Sequence, residues 1–224
     1  MMDAQVLSKR TMAEQVADLL RQRILSGALP AGTPIRQEPL AAELGISRIP
    51  LREALKQLEA EGFVTIASHK GATVAPLSVA EIEELFQLRL RLETWMLGLA
   101  LPRLAEADFA ALDQLIAEQR APDSLPRWGE LNWRFHEVMY RPADRPLTLK
   151  MLKRIHDNID RYLRLEISLS AGRNRAYREH EDLLAHCRKG DVAVALDLLE
   201  RHIQQTANSL IDHLRARETA VAAD

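Results

Sequence analysis

Residues 40–48, Leu40-Ala41-Ala42-Glu43-Leu44-Gly45-Ile46-Ser47-Arg48, decide how the front of the chain folds. They spell a short amphipathic helix, a Gly turn, and a Ser placed to cap the helix that follows. In that next helix Leu51, Ala54, Leu55 and Leu58 form the buried stripe, which leaves Arg48, Ile49, Arg52 and Lys56 on or beside the outward face. A helix that shows arginine near its N-terminus over a clean apolar back fits a major groove. Ser47 and Arg48 also stand where free helix amides meet a phosphate oxygen.

Working outward, the spacing predicts helices over residues 11–26, 37–44 and 48–61, ended by Gly27, Gly45 and Gly62. Apolar and polar residues alternate convincingly only over Phe63 to Ala75, which predicts one β-hairpin with Ser68, His69, Lys70 and Gly71 at its tip. Such a wing touches phosphate or a minor groove. The plainer reading is a chance helix-turn-helix pattern whose arginines are a solvated face. Chance, however, does not often add a wing directly behind the second helix.

Pro76 breaks the chain, and Ser78-Val79-Ala80-Glu81 has capping-box spacing, so a second domain starts near residue 78. Apolar stripes predict helices over 79–101, 108–120, 124–140, 145–168, 173–189 and 191–217, with Pro126 and Pro146 in first turns, where a missing amide costs little. Six helices with short links read as an antiparallel bundle. The expected class is mainly α: a winged helix-turn-helix over residues 8–76, then an all-α domain over 77–217. The Ala-rich end is expected to fray.

Composition agrees. The chain has 224 residues, 47% of them hydrophobic, which argues against disorder, and no apolar run approaches the roughly 18 residues a membrane helix needs. The single cysteine, Cys187, makes no internal disulfide, and Met1 to Arg10 lacks the apolar core of a signal peptide, so a reducing cytoplasm is expected. A formal charge of −2 argues against nucleic acid only until it is divided. Residues 1–76 hold 9 Lys+Arg against 8 Asp+Glu, so DNA affinity has to rest on a few placed cations, Arg48, Arg52 and Lys70 among them.

The second domain points polar groups inward. Asn132 and His136 lie at i and i+4 beside the stripe of Trp128, Leu131, Phe135 and Met139, a spacing that suits two ligands of one metal. His180 shares a face with Ala176, Leu183, Leu184 and Cys187, and His202 with Ala195, Leu198, Leu199, Thr206 and Leu210. His156 falls on an inner edge as a spare candidate, while His186 and His213 read as peripheral. A lone His on such a stripe is commonly a hydrogen-bonded core residue. Several together are costly to bury unpaired, which brings metal binding level with that reading. Arg89 shares the phase of Leu85, Phe86, Leu92 and Met96, so its guanidinium needs an anion: Glu93 at i+4, or the carboxylate of a ligand.

Two sets of residues carry a resemblance. Leu25-Ser26-Gly27-Ala28-Leu29-Pro30-Ala31-Gly32-Thr33-Pro34-Ile35 and Leu40 through Leu55 resemble the winged-helix head of GntR-family transcription regulators over residues 11–76. Leu85 through Glu93, Leu131-Asn132-Trp133-Arg134-Phe135-His136, Glu179 through Leu184, Gly190-Asp191 and Arg201-His202-Ile203 resemble the FCD ligand-sensing domain of the FadR-like subgroup. The resemblance implies a homodimer on a palindromic operator in double-stranded DNA, with Ser47, Arg48, Ile49 and Arg52 at recognition positions, Arg36 beside them, and Ser68, His69, Lys70 and Gly71 as the wing. Ile49 stands where many members carry Thr, so an apolar contact replaces a hydroxyl. It further implies a divalent metal ion, zinc or nickel, on Asn132, His136, His180 and His202, and a small carboxylate effector on Arg89. Asn132 stands where Asp is common, which leaves a more positive site for an anion. The rival class is a metal-dependent hydrolase or isomerase using these histidines with Glu179 or Glu181 as base.

Overall fold

A computed structural model describes residues 10–67, 71–76, 78–121, 123–167 and 170–222. It divides into two units, residues 1–76 and 77–224.

The first unit runs α1 (Met12–Leu25), β1 (Pro34–Ile35), α2 (Gln37–Glu43), α3 (Arg48–Ala60), β2 (Val64–Ala67) and β3 (Gly71–Val74). Thr11 and Glu14 form the capping box that starts α1. The apolar faces of α1 and α3 close a core of Val16, Leu20, Ile24, Leu51, Leu55, Leu58, Phe63 and Val74. Arg21 reaches from α1 to Glu61 with Nε and Nη2 at 2.9 and 3.0 Å, so α1 is tied to the end of α3 by a two-pronged ion pair. Gly45, at φ 65° between α2 and α3, takes a backbone conformation that side chains disfavour, which makes the tight turn possible.

The sheet corrects the expectation of a lone hairpin. β3 lies in the middle, antiparallel to both β2 and β1, with Val64 opposite Val74 and Ile35 opposite Ala72. A third strand shields the edge that a two-stranded wing would leave open. Ser47 is a second correction. It is the N-cap residue of α3 by backbone, but its side chain makes no cap hydrogen bond.

The second unit is a bundle of α4 (Val79–Ala100), α5 (Glu106–Arg120), α6 (Trp128–Tyr140), α7 (Pro146–Ile167), α8 (Ser170–Lys189) and α9 (Val192–Ala222). The Ser78–Glu81 capping box starts α4. Pro146 is the first residue of α7, but Pro126 lies in one of the three single 3-10 turns among the described residues, Leu101–Arg103, Leu125–Arg127 and Arg141–Ala143. Each turn carries Pro at its second position, which stops one helix and lets the chain redirect within a few residues. α9 continues to Ala222, past the expected end and through the Ala-rich stretch expected to fray, because alanine favours helix.

α4 packs along α9 and beside α6 and α7, while α5 packs on α6 and α8. The core includes Ile82, Phe86, Met96, Leu112, Phe135, Leu152, Leu184, Cys187 and Leu199. Burial raises the Cys187 thiol to about 12. At pH 8 its thiolate fraction is then on the order of one in ten thousand, against roughly a quarter for a free thiol. A thiol-reactive disulfide reagent is therefore expected to react with Cys187 at least a hundredfold more slowly in the native chain than in urea. Equal rates would place the thiol at the surface.

Candidate functional site

The exposed face of the first unit collects the cations and small polar groups of the helix-turn-helix. Arg36, Ser47, Arg48, Ile49 and Arg52 are all exposed, and Ile49 stands 70% accessible at the start of α3. Arg48 pairs with Glu38 of α2 in an exposed ion pair, which holds the guanidinium across the helix-turn-helix. Gly71 opens β3 at φ 85° and is exposed. The remaining wing positions, Ser68, His69 and Lys70, lie outside the described residues.

The interior of the second unit holds a different chemistry. Arg89, Glu93, His136, His156, His180 and His202 are all buried. His136 from α6, His180 from α8 and His202 from α9 each bring a ligand atom within 4.8 Å of the others. The second ring nitrogen of each is held from behind. His180 Nδ1 lies 3.0 Å from Gln119 Oε1, and the Gln119 amide nitrogen donates to the Leu131 carbonyl, so Nδ1 donates to Oε1. His202 Nδ1 donates to the Glu179 carboxylate at 2.6 Å. His136 Nδ1 lies 3.2 Å from the Tyr140 hydroxyl, which spends its own proton on Glu93 and so accepts from Nδ1. The His136 and His180 imidazoles are thereby set in the tautomer that leaves Nε2 with a lone pair. His136 Nε2 and His180 Nε2 are buried and have no hydrogen-bond partner.

Burial keeps His136 and His180 neutral. Burial pushes His136 and His180 well below the usual histidine range, helped by the neighbouring imidazoles and by Arg89, with Glu93 opposing. Burial and then Arg89 lower His156 as well. Burial by itself would raise Glu93, but Arg89 and His156 together hold it well below the carboxylate range. Neutral imidazoles with inward lone pairs and hydrogen-bonded outer nitrogens are the chemistry a divalent cation requires.

Each inward residue read from the sequence has a definite place here. His136, His180 and His202 come together, and Asn132 is half-buried one turn before His136 on α6. His156 is buried too, but its Nε2 lies 3.1 Å from Glu93, which removes it from the lone-pair set. Arg89 gives Nε to Glu93 at 2.6 Å, the first of the two partners its phase allowed. Glu179 serves His202, and Glu181 pairs outward with Arg120. Gln119 and Tyr140 were missed. Both carried a signal: Gln119 continues the stripe of Phe109, Leu112 and Leu115–Ile116, and Tyr140 stands four residues after His136.

A winged helix-turn-helix followed by an all-helical bundle defines a DNA-binding protein with a second, helical domain. Residues 12–74 match the model of the bacterial regulatory proteins of the gntR family, and residues 84–205 match the FCD domain. The chain belongs to the GntR family and carries an FCD domain; it is a transcription regulator and not an enzyme. Relatives include the Escherichia coli K12 HTH-type transcriptional repressors RspR, 22% identical over 93% of this chain and 92% of that one, and GlaR, 29% identical over 82% and 89%. The gluconate operon transcriptional repressor of Bacillus licheniformis is 29% identical over 80% of this chain and 73% of its own. Among solved structures, E. coli McbR/YncC shares the fold at a TM-score of 0.78 with 23% identity, over 92% of this chain and all of that one.

Proposed function

We propose that this regulator is a repressor of the FadR-like subgroup that binds a palindromic operator as a homodimer and responds to a small organic acid at a metal-containing site. A protein that reads a bacterial chromosome works in the cytoplasm. Arg36, Ser47, Arg48, Ile49 and Arg52, with Ser68, His69, Lys70 and Gly71 of the wing, are the proposed DNA contacts. Their support is the exposed α3 face, with cations for phosphate and base edges and Ile49 for a thymine methyl.

The observation that carries the sensing half is the pair of buried nitrogens, His136 Nε2 and His180 Nε2, left without a hydrogen-bond partner. His136, His180 and His202, with Asn132 as a neutral oxygen donor, would hold the cation, zinc or nickel. The ion would supply a fixed positive charge to which a carboxylate can bind. Arg89 would take the effector from the other side, since Glu93 uses one of the five N–H donors of a guanidinium. The name of the gluconate-operon relative supports a sugar acid among the candidates. A ligand that prefers one arrangement of the bundle then changes how well two heads meet two half-sites, a coupling on the order of 1–3 kcal/mol.

Two measurements test this reading. Selection from a random duplex pool with the full chain should return a palindrome, and Arg52→Ala should weaken that duplex about ten- to a hundredfold, the worth of one good base contact. A selected site without two-fold symmetry, or an unmoved affinity, would remove the operator model. After chelation the native chain should take up Zn2+ or Ni2+, and His136→Ala should lose at least a hundredfold in affinity; equal uptake by the variant places the ion elsewhere.

A further inference from the structure

Glu93 divides its partners in the buried polar set between its two oxygens. Oε1 accepts from Arg89 Nε at 2.6 Å and from His156 Nε2 at 3.1 Å. Oε2 accepts from the Tyr140 hydroxyl at 2.7 Å, and that hydroxyl oxygen in turn receives the His136 Nδ1–H at 3.2 Å. Three hydrogen bonds therefore run from the Arg89 guanidinium, through one carboxylate, to an imidazole of the three-histidine set. The direction of each is forced. A carboxylate only accepts, so the tyrosine must donate to it, and what the tyrosine then offers His136 is a lone pair. A tyrosine with no carboxylate behind it could donate to Nδ1 instead and turn the imidazole to its other tautomer.

We propose that Glu93 is a positioning residue that builds the anion side and the metal side of the buried polar set as one unit, aiming Arg89 directly and fixing the His136 tautomer through Tyr140. The inference rests on the metal-and-anion reading above and adds to it the group that joins the two halves. Glu93 is fully buried, and a carboxylate kept in an apolar bundle survives only with its hydrogen bonds made, which here come from α4, α6 and α7 at once. Outer hydrogen bonds of this kind commonly tune a metal site ten- to a hundredfold.

The test is metal affinity of the full chain, by competition for Zn2+ and for Ni2+ against a chromophoric chelator. The native protein is compared with Tyr140→Phe, Glu93→Gln and the double variant. Tyr140→Phe keeps the ring and so remains informative where Glu93→Gln folds poorly. It is expected to bind metal about tenfold or more weakly. The double variant should lose no more than Glu93→Gln, because the carboxylate acts through the hydroxyl. Nitrogen-15 spectra of the metal-free chain should show His136 as the single Nδ1–H tautomer in the native protein and as a mixture in Tyr140→Phe, a change that loss of packing alone does not produce. Native affinity and an unchanged tautomer in Tyr140→Phe, or losses that multiply in the double variant, overturn the inference while leaving the metal reading in place. A native chain that takes up neither ion overturns both.

Discussion

Glu93→Ala is expected to lower the unfolding free energy of the second unit by about 3–5 kcal/mol, the loss that follows when one partner of a buried ion pair is removed. The reason lies in what stays behind. Arg89 is 2% exposed and would keep its charge in an interior that no longer offers an anion, while Tyr140 and His156 each lose a buried acceptor. Burial is the largest single effect on this carboxylate and opposes its charge, and Arg89, His156 and His136 between them outweigh it. Removing both charges should therefore be milder than removing one. An Arg89→Met/Glu93→Leu double variant, with apolar side chains filling the space, is expected to recover much of the loss, short by the unmade hydrogen bonds at roughly 1 kcal/mol each. Urea unfolding of the three proteins followed by circular dichroism decides it. A Glu93→Ala midpoint equal to the native one would mean that water reaches Arg89.

Much of this arrangement is legible one helix at a time. The apolar stripes that place α4 through α9 also tell which side of each helix is inside, so His136, His180, His202 and Arg89 could be assigned inward without knowing their neighbours. What periodicity does not carry is which helix lies opposite. The Gln119 that orients His180 is 61 residues away, and the Glu93 that orients Tyr140 is 47 away. Such pairings belong to the packing of α5 on α8 and α4 on α6 and have no local signature. The same limit hid β1: Pro34–Ile35 is too short to show alternation, and it is a strand only because β3 lies beside it. Ser47 shows the converse error. Residue preference made it a capping side chain, yet its backbone alone fills the cap position, and the hydroxyl stays on the exposed face proposed to meet phosphate.

Buried neutral histidines also make the stability of the metal-free chain depend steeply on pH. His136, His156 and His180 are all held below their ordinary value of 6.5 by burial. Once the chain unfolds they return to that value, so below pH 6.5 the unfolded state binds protons that the native state refuses. Their contribution is complete above 6.5 and is lost as pH falls toward the depressed native values. Each strongly lowered histidine adds a slope of up to about 1.4 kcal/mol per pH unit, so His136 and His180 together approach roughly 2.5 kcal/mol per unit a pH unit below 6.5, and His156 adds to it. Glu93 does not enter this window. A carboxylate held low gives stability that is intact above its unfolded value of 4.5 and lost only beneath it. A falling melting temperature between pH 7 and 5 in chelator-treated protein would thus report the histidines, and His156→Gln, whose amide can still donate to Glu93, should flatten the slope. A melting temperature that stays level from pH 7.5 to 5.5 would mean that the native bundle admits the protons, and that His136 and His180 are not held neutral for a cation.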